Sequence, residues 1–290
     1  MFYPFAKTIY EIRKLSDFDQ YINYLANDYN YAKRRFKKTF GYDLNLRKPK
    51  TFNEKIQYLK LHYRKPILTR LADKYTVRSF VKKRIGAKYL NTCLGVYSSV
   101  LEINPSTLPS QFVLKATHGS SWNIICSNKD QLDWGETIKT LKSWLKQNYF
   151  KLGREWCYKN IPPQIICEKY LGPNLPDYKF FCFHGKPYYI QVDLDRFGSH
   201  KRNFYNLRWE KLTIRLIYPN SNKDIKKPKK LTEMITVAQK LSKDFPFVRI
   251  DLYEHENSII FGEMTFYPEN GFGTFRPQKY DYQFGTLLKL

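Results

Sequence analysis

Apolar residues alternate along residues 248–271, VRIDLYEHENSIIFGEMTFYPENG, in the manner of two short strands. In the first, Val248, Ile250 and Leu252 fall on one side of an extended chain and Arg249, Asp251 and Tyr253 on the other. Residues 254–258 are polar enough for a turn, and residues 259–266 run back as a second apolar segment. The pattern predicts a hairpin with Asp251 and Glu263 on one face of adjacent antiparallel strands. Carboxylates placed together repel. A divalent cation relieves that repulsion, as do salt bridges to basic side chains, and the spacing fits either arrangement.

Upstream the period lengthens. Phe18, Ile22, Leu25, Tyr29, Ala32 and Phe36 recur at steps of three and four, predicting a helix over residues 16–40 capped by Ser16, with Asp19 in its first turn. Its far end carries Lys33, Arg34, Arg35, Lys37 and Lys38, which suit the helix dipole and equally suit acidic lipid headgroups or a polyanion. Thr51 and Glu54 open a second helix that reaches Leu61, and a third runs from Asp73 to about Arg84, where Gly86 ends it. Strands are predicted over residues 89–97, 111–114, 124–126, 165–171, 177–183 and 188–194, with helices over 133–149 and from a cap at Thr232. Residues 199–230 are polar, basic and without a clear period, so they read as a mobile substrate loop.

Charge adds what periodicity does not contain. The 290 residues carry 50 Lys and Arg against 26 Asp and Glu, a formal net charge of +24, and residues 1–90 hold 22 of the basic residues and 7 of the acidic ones. Such a bias implies an anionic partner: nucleic acid, an anionic membrane leaflet or an acidic substrate. The five cysteines, at 93, 126, 157, 167 and 182, form no CxxC pair, which argues against a disulfide framework or zinc knuckle and for a reducing compartment. With no apolar leader and no apolar run long enough to span a bilayer, the expected location is cytoplasmic.

One loop looks made for phosphate. An apolar strand ends in Lys115, and Thr117, His118, Gly119, Ser120 and Ser121 then lead into the next strand. A strand, Gly/Ser loop and strand can cover a triphosphate, with backbone N–H groups and hydroxyls on its oxygens and the lysine as a point charge; an ordinary hairpin turn has the same outline. It is not a Walker A loop, because no Gly-Lys-Ser/Thr follows and no helix opens at the glycine.

Taken in order, FNEKIQYLKL, DKYTVR, FVLKATHGSSWNII, IICEKYL, DYKFFCFHGKP and FVRIDLYEHENSIIFGEMTFYPENG resemble the ATP-grasp superfamily, and within it the TupA-like family of surface-polysaccharide biosynthesis. The resemblance runs from residue 51 to the end of the chain. It implies an α+β ATP-grasp fold of two lobes clasping ATP: a basic helical extension at 1–50, a pre-grasp lobe at 51–110, a small lobe at 111–172 and a large lobe at 173–290. By the same resemblance Lys74 and Lys115 contact the ATP phosphates beneath the loop that holds His118, Gly119, Ser120 and Ser121. Glu168, Lys169 and Leu171 lie at the adenine edge, while Asp251 and Glu263 hold Mg²⁺. Thr265 stands where the family has an Asn, so Asn270 or water is expected to complete the metal's shell. Lys179, Arg196, Arg249 and Arg276 are candidates for stabilising the charge that builds during phosphoryl transfer, although plain salt-bridge partners have the same signature.

The implied reaction is ADP-forming carboxylate–amine ligation. ATP phosphorylates the carboxylate of an acidic sugar or glycan, free or lipid-linked, and an amino acid or small amine attacks the acyl phosphate. Such work on a lipid-linked chain would bring the enzyme to the inner face of an anionic membrane. A sugar or polyol kinase would use the same nucleotide site. A glycosyltransferase reading takes Asp193 and Asp195 as a DxD metal site but leaves Lys115 and Glu263 without a role. Nucleic acid is not expected, since charge and aromatic content stand without an RNP, zinc or helix-turn-helix pattern.

Overall fold

A computed structural model describes residues 27–173, 175–194, 198–223 and 225–290. Asp28–Phe40 (α1) begins at Asn27, whose side chain accepts from Asn30 N, and stops at Gly41, whose φ of 79° is the left-handed conformation a helix C-cap favours. The expected Ser16 cap and Asp19 lie outside the described residues. Phe52–His62 (α2) opens on a complete capping box, with Thr51 Oγ1 accepting from Glu54 N and Glu54 Oε2 accepting from Thr51 N. Pro66–Ala72 (α3) and Val77–Ile85 (α4) follow. Asp73 does not begin a helix as expected; its carboxylate instead accepts from Tyr75 N and Thr76 N and holds the turn ahead of α4.

The smaller lobe is a four-stranded antiparallel sheet built from Cys93–Tyr97 (β1), Phe112–Ala116 (β2), Asn123–Cys126 (β3) and Ile165–Lys169 (β4) in the order β1-β4-β2-β3. Trp134–Leu145 (α5), capped by Asp133, and Phe150–Gly153 (α6) lie between β3 and β4 in the chain. Phe112, Leu114, Ile124, Cys126, Ile165 and Cys167 pack with Leu141 of α5 on one side of this sheet. Lys115 and Glu168 therefore fall on the other. Two expectations are corrected here. The strand predicted from residue 89 starts at Cys93, because residues 87–89 form a 3₁₀ turn and the Asn91 side chain accepts from Thr92 N while donating to Lys169 O. Residue 110 is also no boundary, since β1 pairs with β4 and so draws part of the expected pre-grasp segment into the small lobe.

The larger lobe is a six-stranded antiparallel sheet in the order β11-β10-β5-β6-β7-β8. Its strands are Asp177–Phe183 (β5), Lys186–Leu194 (β6), Lys201–Tyr205 (β7), Lys211–Leu212 (β8), Phe247–His255 (β10) and Ser258–Thr265 (β11). Arg215–Leu216 (β9) pairs apart from it with Phe275–Arg276 (β12). Residues 199–230 thus contribute strands to the fold instead of a free loop. Their alternation was invisible because Arg202, Asn203, Phe204 and Tyr205 are all buried, so neither face of β7 is marked by exposed polar residues.

Leu231–Ser242 (α7) covers one face of the large sheet with Met234, Val237, Ala238 and Leu241. It begins one residue before the expected Thr232 cap, because Glu254 accepts from Lys229 N and Lys230 N at its entry. The opposite face changes character along the strands. At one end Phe181, Phe183 and Phe247 meet Phe52 of α2 and Phe284 of Lys279–Leu287 (α8), with Phe52 and Phe247 ring centroids 5.0 Å apart. At the other end the same face carries Asp177, Lys179, Arg249 and Asp251.

Helix α8 is packed too closely for a normal residue at Gly285, where an added Cβ would lie 2.2 Å from Lys50 O. Gly→Ala within a helix ordinarily stabilises by about 1 kcal/mol. Here the sign should reverse: Gly285→Ala is expected to lower the urea midpoint, whereas an unchanged or raised midpoint would show that α8 is not seated on residues 50–52.

Candidate active site

Two lysines stand at the base of the Gly/Ser loop. Lys115 Nζ donates to Glu168 Oε2 at 2.7 Å, and Arg78 Nη1 reaches the other oxygen of that carboxylate at 3.1 Å. Lys74 Nζ donates to Gly119 O, and its backbone N–H to Thr117 O at 3.2 Å, so the loop is fastened to the lysine at both ends. Burial pulls the Lys74 ammonium below the usual lysine range, against the opposing attraction of Glu263. Gly119 has a steric reason to be glycine, since a Cβ there would lie 2.7 Å from the Trp122 ring. Ser121 takes a left-handed turn at φ 62°.

Across from these groups, β10 and β11 bring Asp251 and Glu263 opposite each other, with a bulge immediately after Asp251. Cations separate the two carboxylates. Arg249 Nε and Nη2 grip Asp251 Oδ1 and Oδ2 at 2.7 Å each, and Nη2 also donates to Glu263 Oε1 at 3.1 Å. Lys179 Nζ donates to Asp251 Oδ2 at 2.6 Å and to Asp177 Oδ2. Burial alone would raise the Glu263 carboxyl, but Lys74, Arg249 and Lys179 outweigh it and hold the group at about 2. The Thr265 hydroxyl accepts from Arg249 and donates to Glu263 Oε1 at 3.0 Å, which makes it a support for that carboxylate.

A second guanidinium closes the end of β6. Arg202 joins Asp193 Oδ1 at 2.6 Å and Glu269 Oε1 at 2.7 Å, with the Asp193 carboxyl held far below the usual range despite its burial. His200 Nε2 lies 3.3 Å from Asp193 Oδ1. Asp193 is thereby committed to Arg202 and does not behave as half of a DxD metal site; Asp195 and Arg196 lie outside the described residues.

Several expected site residues are placed elsewhere. His118 is 1% exposed with Nε2 on Trp144 O at 2.9 Å, so it packs inside the small lobe instead of facing a phosphate. Lys169 N–H donates to Thr92 O, and its carbonyl accepts one bond from Asn91 Nδ2, which leaves that oxygen a second lone pair; Leu171 follows beyond the end of β4. Asn270 Oδ1 accepts from Lys60 at 2.6 Å and belongs to a separate cluster. Arg276 is exposed on β12 opposite Arg215. Sequence reasoning missed Arg78, Arg202, Glu269, Lys60 and Glu155. Arg202 had no visible signal, lying in a polar stretch, whereas Glu269 and Lys60 stand inside the quoted motifs FVRIDLYEHENSIIFGEMTFYPENG and FNEKIQYLKL. Arg78 likewise had one, since it closes the quoted motif DKYTVR.

The sequence matches the TupA-like ATP-grasp family over residues 54–289. The chain belongs to that family. It has the ATP-grasp fold, whose two lobes are its four-stranded and six-stranded antiparallel sheets. The search of curated proteins found no match. Among solved structures, D-alanine–D-alanine ligase from Bacillus anthracis is 16% identical with a TM-score of 0.42, covering 69% of this chain and 58% of its own. N5-carboxyaminoimidazole synthetase from Staphylococcus aureus, complexed with ADP, is 14% identical with a TM-score of 0.44, covering 72% and 50%. The ATP-grasp ligase PsnB, complexed with a minimal precursor, is 7% identical with a TM-score of 0.42, covering 73% and 58%. This chain thus spans 50–58% of the length of these structures, and the family match alone carries the assignment.

Within this ATP-grasp cleft the paired carboxylates should respond unequally to neutralisation. Asp251→Asn leaves Arg249 and Lys179 buried without their shared counter-ion and is expected to cost on the order of 3 kcal/mol of stability. Glu263→Gln should cost less and show a pH signature. With its folded value at about 2 against 4.5 in the unfolded chain, the stability from Glu263 is fully present above pH 4.5 and is lost as pH falls toward 2. Melting curves should accordingly show wild type and Glu263→Gln converging as the solution is acidified. A gap that stays constant would remove Glu263 from the ion-pair lattice.

Proposed function

We propose that this ATP-grasp enzyme is an ADP-forming carboxylate–amine ligase of surface-polysaccharide biosynthesis. The supporting observation is the mutual influence of Lys74 and Glu263. Glu263 is the foremost attraction acting on Lys74, and Lys74 is the foremost acting on Glu263. A phosphate-binding lysine and a metal-type carboxylate from opposite sides of the cleft therefore face one space, which suits the far end of a triphosphate.

The donor set fits a metal that arrives with the nucleotide better than one held by protein alone. Among the described residues there is no cluster of three or more carboxylate, His or Cys groups able to cage a cation. Asp251 has both oxygens occupied by Arg249 and Lys179 and is 1% exposed, whereas the Glu263 side chain is 31% exposed and its Oε1 alone carries the bonds to Arg249 and Thr265. Glu263 would supply the protein oxygen to Mg²⁺, with phosphate oxygens and water completing the shell. When bound, Mg²⁺ neutralises charge on the phosphates.

The protein's own groups account for the rest. Lys74 and Lys115 draw the phosphates toward the Gly/Ser loop. Arg249, fixed from two sides, offers a preorganised positive charge where oxygen charge builds on the transferring phosphoryl and on the tetrahedral adduct. Lys179 holds Asp251, and through it Arg249, in position. A carboxylate oxygen meeting this lattice attacks the γ-phosphorus of ATP and displaces ADP to give an acyl phosphate; the nitrogen of an amino acid or small amine then attacks the acyl carbon, loses a proton and displaces phosphate to give the amide. The basic face of α1, with Lys33, Arg34, Lys37 and Lys38 exposed, suits an acidic sugar or glycan, including a lipid-linked one at the inner face of a membrane. No helix among the described residues is long and apolar enough to cross a membrane.

Mg²⁺-ATP at a hundredfold excess over its Kd should stabilise the native protein by about 2.7 kcal/mol, and Lys115→Met should abolish the rise in Tm. With an acidic sugar present, hydroxylamine should be converted to a hydroxamate with one ADP and one phosphate released per product. Label from the γ-phosphate recovered on the sugar, with no free phosphate, would replace the ligase with a kinase.

A further inference from the structure

Most buried cations of the cleft have carboxylates of their own. Arg249 has Asp251 and Glu263, Lys179 has Asp177 and Asp251, and Arg202 has Asp193 and Glu269. One cluster breaks that pattern. Between α1, the end of α2 and the turn after α6, Arg35, Lys60, Arg64 and Arg154 gather around Asp28 and Glu155 as the carboxylates among the described residues.

Asp28 is already divided, with Arg64 Nη2 at 2.6 Å and Arg154 Nη1 at 3.5 Å. Arg154 is 8% exposed, and its Nε and Nη2 are buried without a hydrogen-bond partner among the described residues. Lys60 is 1% exposed and leans on neutral groups: Asn270 Oδ1 at 2.6 Å, Asn270 O at 3.2 Å, Gly153 O at 3.4 Å and the Phe272 ring at 4.8 Å. Arg35 lies 5.0 Å over the same ring and gives one N–H to the Tyr31 hydroxyl at 3.1 Å. A desolvated guanidinium with unpaired N–H groups is unfavourable, and its planar fork matches a carboxylate or phosphate.

We propose that Arg35, Lys60 and Arg154 form a second anion subsite, which holds a carboxylate or phosphate of the substrate apart from the carboxylate being activated. The subsite rests on the ligase reading and adds that the acidic substrate carries at least two acid groups. Glu155 is electrostatically linked to both places, since Lys60 lowers its carboxyl while Glu263 and Glu269 raise it. Burial pushes that carboxyl up to about 7 and pulls the Lys60 ammonium down to about 7, so this pair contributes little net charge and Arg35 and Arg154 supply the positive charge an arriving oxyanion meets. Arg35 also belongs to the helix whose exposed Lys33, Arg34, Lys37 and Lys38 extend the positive potential outward from the subsite.

The test is calorimetric titration of the full chain in saturating Mg²⁺-ADP with galacturonate, digalacturonate and galacturonate 1-phosphate. The two-acid probes should bind about tenfold or more tightly than the single acid. An advantage confined to the 1-phosphate identifies a phosphate as the occupant, and one confined to digalacturonate identifies a carboxylate. Arg35→Gln with Arg154→Gln should erase the advantage while the rise in Tm given by Mg²⁺-ADP stays as in wild type. Should the double variant fail to fold, Arg35→Gln alone, at a half-buried position, should reduce the advantage. Equal binding of all three probes, or an advantage that survives the substitutions, overturns the subsite. Absence of any Mg²⁺-ADP stabilisation of the unmodified protein would count instead against the ligase reading.

Discussion

The pairing of β10 with β5 on one side and β11 on the other is the constraint from which the cleft follows. It places Arg249 and Lys179 between Asp177, Asp251 and Glu263, so charges that would be intolerable singly are buried as an alternating lattice. The register has little freedom. A slip of one residue would turn Arg249 and Asp251 toward Met234, Val237 and Leu241 of α7, and would expose Val248, Ile250 and Leu252 in their place. The apolar face thus specifies where the charged face must lie, and the precision of the site comes from hydrophobic packing it does not itself contain.

That division continues along the charged face. Phe52, Phe181, Phe183, Phe247 and Phe284 interlock at one end of the strands, and Lys179, Arg249 and Asp251 occupy the other. Aromatic packing ties α2 and α8 to the sheet. Because α2 also carries Lys60, the helix that completes the core delivers a cation beside the turn at Asn270. Stability and site geometry share one element, which is why Gly285 and Thr51, far from any phosphate, bear on the position of the cleft.

The features readable from the sequence were those whose cause is local. The hairpin at residues 247–265, the helix opened at Thr51 and Glu54 and the strand that carries Lys115 each depend on spacing within a few residues, and each is found to within a residue or two of the expected bounds. Partnership was not readable in the same way. The spacing left Asp251 and Glu263 open to a divalent cation or to basic partners; Arg249 stood on the same face, but Lys179 comes from 72 residues away, where no local pattern points to it. His118 and Asn270 looked like ligands on motif position, yet His118 turns inward to a helix carbonyl and Asn270 to a buried lysine. Residues 199–230 concealed β7 because burial on both faces removes the alternation by which a strand is recognised.

The distribution of acidic residues explains how so basic a chain keeps a balanced interior. Asp177, Asp193, Asp251, Glu168, Glu263 and Glu269 are drawn into pairs with the cations of the cleft, and Glu54, Asp73 and Asp281 into backbone N–H groups at turns and helix starts. Carboxylates spent in this way are missing from the exterior, where the net charge of +24 therefore reflects an excess of Lys and Arg over Asp and Glu. The two populations act differently on an anionic substrate. Exposed charges such as those of α1 attract over a distance and are screened by salt within about 10 Å, whereas buried Arg249 and Arg154 act only at contact and are screened far less. High ionic strength should then slow the arrival of an acidic substrate far more than it weakens the groups that hold the substrate once seated.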